Sequence, residues 1–277
     1  MKDIVYITVQ YNNAPDTEIF LESVGRTAGR SNCEVIVVDN SDEFLPAGKR
    51  GAPTEFEIRE LRPPQNLYYW GGAAFALESS YGASGPWPRW IIVCNNDVEI
   101  TDQGFLEKLE RLDPATHPIV APAIISHSTG KDQNPMLDVQ PGFFKRLKWR
   151  VYDTGYAVAK TLLAIHAAGR ADRTRPRSAM GVGSEPARPR LIYAPHGACI
   201  IFSSAFFEKG GELDTAVPLF AEELTLAAFA EKAGMPIWYW PDIRVSHREH
   251  STTGRKLTKA KYEMERMARR RYYELRG

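Results

Sequence analysis

The chain has 277 residues, 43% of them apolar and 25% charged, which suits one large or two small domains with a buried core and excludes disorder as its general state. The net charge is only +1, from 35 basic and 34 acidic residues, so no general basic field argues for a nucleic-acid partner, and none is expected. Three cysteines, Cys33, Cys94 and Cys199, make neither an even framework nor a CxxC pair, which excludes a disulfide scaffold and points to a reducing compartment.

Met1-Lys2-Asp3 leads straight into an apolar run, Ile4 to Val9, with no charged-then-apolar leader. No apolar stretch approaches the roughly 20 residues of a membrane span, so the expectation is a cytoplasmic protein, free or peripheral at the inner face of the membrane. Ile4 to Val9 predicts a first strand, Pro15 to Ala28 a helix and Glu34 to Val38 a second strand, a βαβ opening. Phe56 to Leu61 alternates as a third strand; Asn66 to Gly72 forms a turn, and Ala73 to Tyr81 a helix. Trp90 to Cys94 is the fourth strand, Phe105 to Leu112 a helix and Ile119 to Ile125 extended, followed by a polar loop from Ser126 to Pro141. One helix is expected over Phe143 to Ala168, carrying Lys145, Arg146, Lys148 and Arg150 among apolar residues, and then a mobile loop from Thr174 to Pro189. Strands follow at Leu191 to Tyr193 and Ala198 to Phe202, a helix at Phe220 to Ala233 closed by Gly234, and strands at Pro236 to Trp240 and Ile243 to His247. The tail from Arg255 to Arg276 is basic; it could pack on its own domain, on a second subunit or on a membrane, and the oligomeric state stays open.

Continuous β-branched strands with intervening helices imply an α/β fold around a mostly parallel sheet. In such sheets ligands bind at the carboxyl ends of the strands. Two strands end alike: Val37-Val38 stops at Asp39-Asn40-Ser41, and Val93-Cys94 at Asn95-Asn96-Asp97. Either Asp alone reads as a turn or cap residue, but two acid–amide tips together point to a site. Glu222 and Glu223 open an apolar helix, where the dipole favours acids and where one of them could serve as a general base. His247 follows an extended segment; oxygen ligands with one imidazole suit a hard or borderline ion such as Mn²⁺, whereas zinc patterns of Cys and His are absent.

With these residues in order, the chain resembles the inverting glycosyltransferases of family 2, which have the GT-A fold, over most of its length to about Thr253. The Asn-Asn-Asp tip is similar to the family's rhamnosyltransferase-like branch. The resemblance implies a Rossmann-like GT-A domain over 1–253, with an acceptor-side helical and loop insertion at about 126–190, and a basic C-terminal helix over 254–277. It places Tyr11 and Asn12 beside the nucleotide, Asp39 on the base, and Asn66, Gly71 and Gly72 along the donor. Asn95-Asn96-Asp97 stands where the family has Asp-x-Asp, so Asp97 is implied to hold a divalent metal, Mn²⁺ or Mg²⁺, with His247 of Val245-Ser246-His247 completing the site. Gly197-Ala198 resembles the family's Gly-Ala segment, and Glu222-Glu223 its Glu-Asp, which makes Glu223 the implied base with Glu222 beside it.

The activity so implied is metal-assisted single displacement of a sugar from a nucleotide-diphosphate donor, UDP or dTDP sugar favoured, onto a hydroxyl of a glycan or lipid-linked acceptor, as in polysaccharide and cell-envelope assembly. Peripheral membrane contact through the basic segments goes with it. Two other classes fit less of the chain. A sugar nucleotidyltransferase needs a glycine-rich basic loop after its first strand, and Gln10 to Pro15 is not one. A non-catalytic sugar-nucleotide-binding or scaffold protein is favoured by Asn95 and Thr225, which replace common acids.

Overall fold

The structure is a computed structural model that describes residues 2–28, 32–43, 56–82, 85–171, 188–249 and 257–277. The expected loop from Thr174 lies outside the described residues as far as position 187, as does the expected boundary at 253/254.

The chain opens with β1 (Ile4–Gln10), α1 (Ala14–Ala28), β2 (Cys33–Asp39), β3 (Glu57–Leu61), α2 (Tyr68–Tyr81) and β4 (Trp90–Asn95). β1 lies between β2 and β4, and β3 extends the sheet beyond β2, all four in parallel. Then come β5 (Val98–Glu99), α3 (Phe105–Glu110), β6 (Ile119–Ser126), α4 (Phe143–Tyr152), α5 (Tyr156–Ala171), β7 (Arg190–Ile192) and β8 (Cys199–Ser203). The last elements are α6 (Ser204–Glu208), α7 (Glu222–Lys232), β9 (Ile237–His247) and α8 (Lys259–Arg276). β8 runs antiparallel between β4 and β6, and β9 runs parallel to β6. Among the described residues, all the strands belong to one α/β sheet in which β5, β7 and β8 run against the other six.

Period-two alternation explains why the sheet is buried on both faces. Val5, Ile7, Ile91 and Val93 meet Trp70, Ala73 and Leu77 of α2 and the Phe206–Phe207 pair of α6. Ile4, Tyr6, Trp90 and Ile92 turn the other way, onto Phe20 and Val24 of α1 and Phe105 and Leu109 of α3. The cysteines are free and buried within this core, where burial raises all three thiols, Cys199 to about 12, and keeps them unreactive.

Three departures from the sequence expectations have local causes. The single helix over Phe143 to Ala168 is two helices, α4 and α5, parted at Asp153-Thr154-Gly155, where Asp153 turns to accept a forked ion pair from Arg269 of α8 at 2.6 to 3.0 Å. The two C-terminal strands are one, β9, which passes through Pro241 because its register against β6 shifts beside Pro122, so neither proline breaks a ladder pairing. The basic tail does not turn its arginines outward as a block: α8 buries Tyr262, Ala268, Arg269 and Tyr272 and packs on α7 and α5, with Arg269 held by Asp153 and Arg271 by Asp214.

Candidate active site

The carboxyl ends of β1, β2 and β4 open on one cleft of about 760 Å³. At its rim the first two tips clasp each other. Asn12 sits in the left-handed region (φ 52°), its backbone N–H donates to Ser41 Oγ at 2.8 Å, and its side-chain amide and the Tyr11 hydroxyl both donate to Asp42 Oδ2, at 3.0 and 3.1 Å. Those two hydrogen bonds hold Asp42 below the usual carboxylate range, and the bond to Asp42 and its charge raise the Tyr11 phenol. Tyr11 lines the cleft; Asn12, exposed at the rim, and the buried Asp39 do not. Asp39 is buried and its Oδ1 accepts from Ser41 N at 3.0 Å and Gln10 Nε2 at 3.3 Å, while Oδ2 has no hydrogen-bond partner among the described residues.

The turn before α2 closes on the same tip. Asn66 Oδ1 accepts from Tyr68 N at 2.8 Å, an Asx-type turn, and Asn40 Nδ2 donates to Tyr68 O at 2.9 Å. Asn40, Asn66, Tyr68 and Tyr69 line the cleft. Gly71 and Gly72 do not: they belong to the first turn of α2, and a Cβ on Gly72 would lie 3.1 Å from both methyls of Val9, so this glycine lets the helix approach β1.

Register brings the next pair together. Val98 of β5 pairs with His247 of β9, which sets Asp97 against the imidazole, Oδ1 to Nε2 at 3.2 Å, both side chains buried. His247 Nδ1 lies 2.8 Å from Gln133 Oε1, and Gln133 Nε2 donates to Glu249 Oε1 at 2.6 Å, which fixes which end of the amide faces the ring. Because that amide oxygen only accepts, Nδ1 donates to it, and the ring turns its Nε2 edge to the carboxylate. Asp97 Oδ1 has no hydrogen-bond partner among the described residues. A cation would satisfy this buried, orphaned oxygen, so the residues fit a divalent metal, although no cluster of three or more such ligands occurs among the described residues. Asn95 and Asn96 also line the cleft, but the Asn96 amide is engaged by Asn13 O and Thr17 Oγ1, both at 3.0 Å, tying the strand end to α1.

Opposite this pair stands the start of α7. Phe220 and Ala221 are both left-handed (φ 68° and 61°), a costly conformation for residues with side chains, and they deliver Glu222 and Glu223 into the cleft. Glu223 Oε1 accepts from Gly197 N at 2.9 Å, and the Tyr69 hydroxyl donates to Gly197 O at 3.0 Å, so Gly197, Ala198 and the acid form one wall. Burial raises both carboxylates, and for Glu222 the charge of Glu223 adds to it. Glu222 is only 5% exposed, whereas Glu223 keeps partial access.

The family model for glycosyl transferase family 2 matches residues 6–165, more than half of the chain. The chain belongs to glycosyl transferase family 2. No curated protein matches it. Among solved structures, S. aureus TarS superposes with a TM-score of 0.56 at 11% identity, over 90% of this chain and 37% of that one. GalNAc-T7 with UDP, GalNAc and Mn²⁺ gives 0.56 at 12% identity over 92% and 44%, so this chain spans less than half of either protein. The mannosyltransferase PcManGT from Pyrobaculum calidifontis, in complex with GDP-Man and Mn²⁺, gives 0.53 at 14% identity over 99% and 72%. At such identities the likeness establishes the fold of this family 2 chain, which is GT-A, and carries no residue roles across.

Of the residues singled out from sequence, Tyr11, Asn66, Asn95, Asn96, Asp97, Gly197, Ala198, Glu222, Glu223 and His247 line the cleft of this family 2 domain, while Asn12, Asp39, Gly71 and Gly72 do not. Tyr69 lies within the Asn66 to Gly72 segment, whereas sequence reading missed Gln133, His196 and Glu249. Burial and then the His247 ring lower His196 to about 4, so it is neutral near pH 7 and its Nδ1 accepts from Ala198 N at 3.2 Å. No motif marks these three, since each acquires its place through a partner remote in sequence.

Proposed function

We propose that this chain transfers a sugar from a nucleoside-diphosphate donor, UDP or dTDP sugar by resemblance, to a hydroxyl of a glycan or lipid-linked acceptor, inverting the anomeric centre. The observation that carries the reading is the placement of a raised, partly accessible carboxylate, Glu223, in the same cleft as the His247 ring and the partnerless Asp97 Oδ1. Asp97 and His247 would hold the metal, Mn²⁺ or Mg²⁺. Such an ion, when bound, supplies Lewis-acid neutralisation of the departing diphosphate. Glu223 takes the acceptor's proton as its oxygen attacks, and a raised pKa suits that task because a stronger base gains more from the transfer. The Gly197 amide fixes which carboxylate oxygen is free to do so. Tyr11, Asn40 and Tyr68 shape the nucleoside end. Three buried free thiols suit work in a reducing compartment.

Thermal unfolding with UDP, dTDP, GDP and CMP, each with and without Mn²⁺ or Mg²⁺, is the test. A ligand at about 100 times its Kd stabilises by about 2.7 kcal/mol, which moves the midpoint by several degrees. The expected result is a metal-dependent rise with UDP or dTDP that Asp97→Ala removes, together with Glu223→Gln retaining the rise and losing turnover. Turnover persisting in Glu223→Gln would remove that residue from the role of base; binding without turnover for any donor would make the chain a non-catalytic sugar-nucleotide binder.

A further inference from the structure

α4 carries two apolar faces. At about 100° per residue, Trp149 and Tyr152 fall on one side of the helix, whereas Phe143, Phe144, Leu147 and Val151 share an arc of roughly 100° on the opposite side. The first side is used: Trp149 meets the Tyr272 ring edge-on with centroids 6.1 Å apart, and Tyr152 lies 5.8 Å from the Tyr262 ring, which docks α4 on α8. The second side is not: α4 buries none of its residues, and Phe143 and Phe144 are 66% and 82% exposed. α5 continues the surface, with Leu162, Leu163 and Ile165 all exposed.

The charges on this surface have one sign. On the same wheel Lys148 and Arg150 border the apolar arc of α4, and Lys160 is exposed on α5. Over residues 143–171 the lone acid is Asp153, and Arg269 already neutralises it through the forked pair. α8 differs, because its Arg269 and Arg271 are spent on Asp153 and Asp214. No helix among the described residues is long and apolar enough to cross a membrane.

We propose that the outer face of α4 and α5 is a membrane-docking surface that lies in the interface of a bilayer with anionic headgroups, its phenylalanines and leucines in the acyl boundary and its lysines at the phosphates. Charge complementarity selects this occupant: a protein partner of ordinary mixed charge would leave a surface of cations without acids facing it, whereas an anionic leaflet satisfies all of them together. The surface is independent of the transfer reading, since none of these residues lines the cleft.

Co-sedimentation of the full chain with vesicles tests it, using phosphatidylcholine alone and phosphatidylcholine mixed with phosphatidylglycerol. The expected result is binding to the mixed vesicles that weakens with added salt and falls about tenfold in Phe143→Ser/Phe144→Ser and in Lys148→Glu. Far-ultraviolet circular dichroism of the variants reports that they stay folded, which exposed positions permit. Equal binding to both vesicle types, or none, overturns the proposal. So does a concentration-dependent dimer that the serine variant dissociates while vesicle binding is absent, because the face would then be a contact between two copies.

Discussion

At Gly197 there is no room for a side chain. A Cβ there would lie 2.5 Å from Glu223 Oε1 and 3.1 Å from its Cδ, so even alanine must push the carboxylate off the Gly197 amide. We predict that Gly197→Ala lowers kcat about 100-fold, the scale of a displacement of about 1 Å in a positioned group, while nucleotide-dependent stabilisation is kept. Steady-state kinetics beside thermal unfolding with the nucleotide separates the two; an unchanged kcat would remove Glu223 from the reaction. The sequence marks this glycine only through its Gly-Ala motif. Strand tips such as Asp97 are legible because a hydrophobic run that stops at a polar triplet is a local pattern. Gln133 has no such pattern: what gives it a role is the β6–β9 register that carries His247 to it, 114 residues away in sequence.

The elements repeat that contrast. β1, β2 and β4 are legible because burial on both faces writes itself into consecutive apolar residues, while β5 is only Val98–Glu99 and exists through its pairing with β9. The break between α4 and α5 has no proline to announce it and is fixed by Arg269 from α8. At α7 the element itself generates a prediction. Burial lifts the folded pKa of Glu222 above its unfolded value of about 4.3, and the charge of Glu223 adds to this. The folded state therefore holds a proton that the unfolded state releases. Stability is full below about pH 4.3 and is lost as pH rises through the raised pKa. Glutamine keeps the shape of the protonated acid at every pH. Each tenfold rise in the folded state's proton affinity is worth about 1.36 kcal/mol, so Glu222→Gln should stabilise by about 1 to 3 kcal/mol in alkaline solution and by little at about pH 5. Scanning calorimetry at about pH 5 and about pH 9 reads the difference. A gain of equal size at both would show that the buried carboxylate is not the cause.

Across the whole molecule, α8 joins the outer face to the cleft. Its Tyr262 packs beneath Tyr152 and Tyr156 at the α4–α5 turn, and Lys261 one residue earlier stands over the ring of Phe220, 4.8 Å from its centroid, at the cleft wall. The Tyr156 hydroxyl also donates to Leu257 O at 3.1 Å, just before α8 begins. α8 therefore touches both the helices that carry the outer face and the Phe220 wall of the cleft. If docking serves to bring a lipid-linked hydroxyl to the cleft, its effect belongs to encounter and not to chemistry. Phe143→Ser/Phe144→Ser should then raise KM for an acceptor embedded in anionic vesicles about tenfold, leave kcat unchanged, and leave both constants unchanged for a water-soluble acceptor with the same sugar. A change in kcat with the soluble acceptor would mean that the outer face acts on the cleft through α8 itself, and the separation between docking and catalysis would fail.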